Sequence, residues 1–260
     1  MPALSPAPRY VFVGGLHRSG TSMVAALIAK APGVGAIGGA PVPEQEGVYL
    51  QGAIPHTARH GIPGAFAFDP DQHLTEASAY NSAEVEARLS ASWDRWYPPE
   101  ATLRVEKSPV NLLRSRLYQQ LFPTASFVFV VRHPVVVARA TSKWSEAPVA
   151  RLVEHWDAAH RLLLADLPYL HNYLIVRYED LVADPARALA RIGGFIDRPI
   201  GDASGIEDRN SGYAGGDRIA LPDVARRLGY RDDIAAIAAP EIAMHRHCLS
   251  EIRSRIDRLD

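Results

Sequence analysis

The chain has 260 residues, 47% hydrophobic and 22% charged, which suits one large soluble domain and excludes a disordered or fibrous chain. Its formal net charge of −1 gives no global field for nucleic acid or an anionic membrane, so any anion site must be a local concentration of positive charge. The single cysteine, Cys248, excludes an intrachain disulfide and a cysteine-rich metal cluster, and reads as inert in a reducing cytoplasm.

Residues 1–8 read as a flexible Pro/Ala/Ser leader to a domain over 9–260. They lack a basic region before an apolar stretch, and "YVFVGG" is far too short to cross a bilayer, so the expectation is a cytoplasmic protein. "RYVFVGG" is an apolar, β-branched and aromatic run closed by glycines, the pattern of a buried strand. A helix follows from Thr21 to Lys30, closed by a Gly/Pro-rich loop over 31–44. Residues 56–78 have many breakers and little periodicity, and read as a long surface loop or lid. Helical patterning returns at 82–96.

Three more strand–helix units come next. "TLRVEKSP" runs into a helix at 110–121, and "ASFVFVVRHP" into a helix through about 145. "NYLIVRYEDL" precedes a helix at 184–197, and a long helix at 148–167 lies between the last two strands. In that long helix His155 and Trp156 are expected to pack against the core. Residues 218–258 read as wholly helical, carrying His245 and His247 without metal-ligand spacing. The expected fold is a single P-loop-like α/β domain: a central parallel sheet flanked by helices, with a helical C-terminal segment.

In such a sheet, ligands sit beyond the carboxyl ends of the strands. The notable polar residues fall there: Arg18, then Glu106-Lys107-Ser108, then Arg132-His133, then Tyr178-Glu179-Asp180. The last three are expected to shape a turn and cap a helix rather than touch a ligand. Gly15-x-x-x-x-Gly20-Thr21-Ser22 matches the phosphate loop GxxxxGK[ST] except that Thr21 replaces the lysine, while Arg18 lies inside the loop. Such a turn offers backbone N–H groups and a helix N-terminus to an anion, and Arg18 adds a planar guanidinium. The missing lysine argues against an ordinary nucleotide triphosphatase. The strand best placed to end in a Mg²⁺-holding aspartate ends instead in Arg132-His133, which attracts a second anion. The pattern therefore implies a ligand with two separated anionic groups and no required metal. Only three of the 28 basic residues are lysines, Lys30, Lys107 and Lys143, so lysine is not the default cation of this chain.

"GLHRSGTS", "VEKSP", "VVRHP" and "RYEDLVADP", in that order, resemble the sulfotransferases that use 3′-phosphoadenosine-5′-phosphosulfate (PAPS). The resemblance spans about residues 10–200, and its first motif has the arginine form found in tyrosylprotein and many bacterial sulfotransferases. It implies that Arg18, Ser19, Gly20, Thr21 and Ser22 hold the 5′-phosphosulfate and that Arg132 holds the 3′-phosphate. Lys107 would reach the bridging or sulfuryl oxygens, and PAP would be the product. The family's 3′-phosphate segment usually carries a serine eight positions after the arginine; here that position is Ala140, with Thr141 and Ser142 just beyond. "DRNSGYAGGDR" loosely resembles the family's basic-glycine segment over the nucleotide, which makes Arg209, Gly212 and Tyr213 candidate contacts.

In related families a glutamate near this point of the chain takes the acceptor proton. Glu46 is therefore the first candidate base, with His56 next and Glu106 third; His60 is a further loop histidine. The acceptor would be a hydroxyl of a small molecule, sugar or natural product. Two other readings remain open on sequence: a P-loop kinase using Mg-ATP on a small molecule, and a non-catalytic nucleotide-binding module.

Overall fold

The computed structural model of the chain describes residues 8–56, 63–201, 203–213, 215, 219–234, 237–238 and 244–246. His60, His247, Cys248 and most of the leader lie outside the described residues. Along β1 (Arg9–Gly14), Tyr10 and Phe12 enter one apolar cluster while Val11 and Val13 enter another. A strand with no solvent face needs cover on both sides, which crossover helices on a parallel sheet supply.

The other strands are β2 (Val34–Ala36), β3 (Leu103–Lys107), β4 (Ser126–Val131), β5 (Asn172–Arg177) and β6 (Met244–Arg246). One sheet runs in the order β2-β3-β1-β4-β5-β6, with the first five strands parallel and β6 antiparallel to β5. On the Val11 face lie α1 (Thr21–Ala29) and α7 (Pro185–Ile196). On the Phe12 face lie α2 (Ala83–Asp94), α3 (Asn111–Leu121) and α5 (Val149–Asp166). The remaining helices are α4 (Pro134–Thr141), α6 (Tyr178–Ala183) and α8 (Asp223–Arg227). Ser82 caps α2 through Val85 N, and Asp184 caps α7 through Arg187 N. None of the described helices is long and apolar enough to cross a membrane.

The structure corrects four expectations. Val34–Ala36, read as loop, is the edge strand β2, because its short extended run finds β3 alongside. The helix expected through about 145 ends at Thr141. Tyr178-Glu179-Asp180 is itself the first turn of α6. The C-terminal region is not wholly helical: among its described residues only Asp223–Arg227 is an α-helix, and His245 sits on a strand. Periodicity could not show this, since β6 exists to pair the outer edge of β5, whose backbone groups otherwise lack partners.

Candidate active site

Residues 15–20 carry β1 into α1 at the middle of the sheet, where chain order departs toward β3 on one side and β4 on the other. A Cβ on Gly15 would lie 2.4 Å from the Val130 carbonyl, so only glycine fits where the loop crosses β4. Arg18 and Gly20 both take positive φ, 68° and 103°. Ser19 is buried and spends its hydroxyl on Leu16 O at 2.6 Å, drawing the loop into a ring. Thr21 is buried as well, while the exposed Ser22 reaches Glu44 at 3.4 Å. The N-terminus of α1 has no side-chain cap and no acidic residue in its own first turn, and the nearest acid the structure brings to it is Glu44, through Ser22.

Arg132, just past β4, is held on three sides. Its Nη1 donates to Arg18 O at 3.0 Å, its Nε donates to Asn210 Oδ1 at 2.8 Å, and its guanidinium lies 4.0 Å over Tyr178. Burial pulls its pKa down, and its buried Nη2 has no hydrogen-bond partner. Glu179 accepts from His133 N, Asn210 Nδ2 and Tyr230 Oη. Tyr178 Oη donates to Glu207 O and accepts from Arg209 N, so the turn of α6 anchors residues 207–210 over Arg132. The Arg209 side chain itself is exposed.

Tyr213 closes the same side. Arg139 Nη1 donates to its carbonyl at 2.7 Å, and Lys143 Nζ reaches its hydroxyl at 3.4 Å. Burial pushes the Tyr213 phenol up, but hydrogen bonds from Lys143 and Arg18 and their charges outweigh it and leave the pKa lowered. The guanidinium of Arg18 also lies 4.4 Å over Trp144, which is 59% exposed.

Lys107 ends β3 in register with Val13, beside the loop. Its Nζ donates to Glu46 Oε1 at 2.9 Å, and both side chains are nearly buried. Glu44 and Gln45 take left-handed backbone angles, φ 50° and 54°, which turn the chain so that Glu46 faces inward. Gln45 pins that turn through Ala40 N and O. Beyond it Gly47 N donates to Glu106, and Gly47 O accepts from Trp93 of α2. Burial raises Glu46 to about 7 despite Lys107, whose charge and hydrogen bond lower it.

Other predicted residues fall elsewhere. Glu106 is fully buried and engaged by Gly47, Ser108 and Asn111, so it holds the Glu46 turn and has no face for a substrate. His56 packs edge-on against Tyr49, 5.0 Å away, on the turn that follows Glu46. Ser142 gives its hydroxyl to Arg139 O, and Thr141 lines a small void with His17; neither hydrogen-bonds Arg132. Gly212 lies in an exposed turn. His155 accepts from Ala67 N at 3.0 Å and, with buried Trp156, packs α5 as expected. Arg139 and Trp144 carry no motif that sequence reading could single out, and Asn210, though inside the 208–218 segment, is not among the contacts expected there. A cavity of about 430 Å³ between α6 and α7 touches none of the loop residues, and is not this site. No cluster of metal-ligating side chains occurs among the described residues.

A family model described as the sulfotransferase family matches residues 8–202. The chain belongs to that family. No curated protein matches it. Among solved structures, the sulfotransferase domain from the Synechococcus PCC 7002 olefin synthase is 22% identical, covers 100% of this chain and 97% of its own, and has a TM-score of 0.51. Sulfotransferases from Mycobacterium tuberculosis H37Rv (STF1) and Mycobacterium avium (STF9) overlay more loosely. They are 18% and 15% identical, cover 76% and 90% of this chain and 69% and 74% of their own, and have TM-scores of 0.44 and 0.48. The central parallel sheet flanked by helices in this sulfotransferase is thus the fold of the olefin synthase domain.

Proposed function

We propose that this sulfotransferase moves a sulfuryl group from PAPS to an acceptor hydroxyl of a small molecule, sugar or natural product. The observation that carries the reading is the contact between Arg132 and the Arg18 carbonyl, with Arg132 Nη2 left unspent. It sets two cation-rich sites side by side, as a donor with separated 5′ and 3′ anions requires. PAPS supplies the activated sulfuryl group for an in-line displacement. The backbone of 18–22, the Arg18 guanidinium and the start of α1 would hold its 5′ end, and Arg132 its 3′-phosphate, with Tyr213 closing over that side.

Glu46 is the base. Its raised pKa lets it accept a proton near neutrality, and Lys107 holds its carboxylate at the loop. Lys107 and Arg18 set positive charge where the departing phosphate gains negative charge. Purified protein should gain several degrees of melting temperature from PAP without metal. About 2.7 kcal/mol of added stability is expected at a hundred times the dissociation constant. A larger shift with Mg-ATP than with PAP would favour a kinase and overturn the reading.

A further inference from the structure

His17 lies inside the loop, between Leu16 and Arg18, yet no hydrogen bond from its ring is found among the described residues. Its Nδ1 is sealed from solvent without a partner. A sheltered polar group left unpaired is uncommon and calls for a reason. The ring lies 6.1 Å from Phe66, and it shares with Gly64, Thr141, Leu152 and His155 a void of about 10 Å³, close to the limit for one water molecule. It is also close enough to Lys107 to feel its charge. Burial first, and Lys107 second, pull its pKa down to about 4, so the imidazole is neutral at pH 7, with one N–H and one lone pair.

His17 thus lies within reach of both Lys107 and the segment from Gly64 to Phe68, which belongs to none of the anion-binding turns. A neutral ring adds no charge to an anion site already served by Arg18, Lys107 and the start of α1. It suits a neutral partner meeting the part of the residue that stays exposed, since Phe66 is buried and the void beside it holds at most one water molecule. We propose that His17 is an acceptor-binding residue: its imidazole N–H donates to the oxygen of the acceptor alcohol or phenol, through a lone pair not used in attack. The acceptor proton goes to Glu46, the oxygen–sulfur bond forms, and the bond from sulfur to the 5′-phosphate breaks. An ammonium acceptor, which carries only donors and would face Lys107 and Arg18, is disfavoured. This inference rests on the sulfotransferase reading.

The test compares wild type, His17→Phe and His17→Gln for the PAP-induced melting shift and for transfer from PAPS to a panel of alcohols, phenols and amines. Phenylalanine keeps the ring packing against Phe66 but removes the N–H, whereas glutamine restores an N–H donor. The expected result is an unchanged PAP shift in both variants, a loss of roughly 10- to 100-fold in kcat/KM for the acceptor in His17→Phe, and partial recovery in His17→Gln. Near-normal transfer by His17→Phe would overturn the proposal by showing that the ring only packs. Loss of the PAP shift in His17→Phe would overturn it differently, by placing His17 on the donor side. Wild-type protein that ignores PAP altogether would sink the sulfotransferase reading and this inference with it.

Discussion

Lys107 Nζ and Glu46 Oε1 stand 2.9 Å apart, with only 8% and 7% of their side chains exposed. A buried ion pair of this kind is weak evidence for stability, because desolvation offsets much of the attraction. Its position beside the loop from Gly15 to Gly20 makes the proposed chemistry the better explanation for keeping it.

Glu46→Gln should lower kcat by about 100-fold or more while leaving PAP affinity within about threefold, since a base touches the acceptor and not the nucleotide. The wild-type kcat should rise with pH through an apparent pKa of about 7 as the carboxylate is freed of its proton. Stability runs the other way. The folded chain holds at Glu46 a proton that the unfolded chain, with a value near 4.5, gives up, so stability falls as pH rises from about 4.5 to 7. Glu46→Gln should flatten that slope. Normal turnover in Glu46→Gln, with loss of turnover in His56→Ala, would move the base to the histidine.

Arg132→Ala should weaken PAP binding by roughly 10- to 150-fold, the loss of a charged hydrogen-bond partner. It should change binding of adenosine 5′-phosphosulfate, which lacks the 3′-phosphate, only a few-fold. Asn210→Ala, which releases Arg132 Nε and one Glu179 contact, should cause a smaller loss of the same selective kind. Equal losses for both ligands in Arg132→Ala would mark the arginine as part of the frame, through its bond to Arg18 O.

Gly15→Ala should destabilise the protein by about 1–3 kcal/mol, because the new methyl would sit 2.4 Å from Val130 O and force β1 and β4 apart. Thermal melting without ligand measures this directly. Unchanged melting would mean that the loop has room to shift, and that its shape is not set by contact with β4.

Much of the frame was legible in the residues. β1, β3, β4 and β5 are short apolar runs at the centre of a parallel sheet, and the Gly15–Gly20 spacing marks the turn between β1 and α1, because these signals are local. Gly15 is required where backbone meets backbone, and residues at strand ends project to one rim whatever the packing above them. β2 and β6 were not legible. Each is three residues long, with no alternation to read, and each is extended because an edge of the sheet lies beside it.

Within the candidate site the same division holds. Residue order marked Arg18, Lys107 and Arg132 as cations at strand ends and Glu46 as an acid after the first helix. It could not show that Glu46 and Lys107, 61 positions apart in sequence, touch, or that Asn210 grips Arg132 from 78 positions away. Nor could it show that Ser142 gives its hydroxyl to Arg139 O, or that Nδ1 of His17 is sealed from water. Those facts depend on which faces of separate elements are pressed together and how much solvent is driven out between them. Chain-local chemistry sets the strands and the loop; desolvation and long-range contact, which exist only once the sheet is covered, set the protonation of Glu46 and the neutrality of His17.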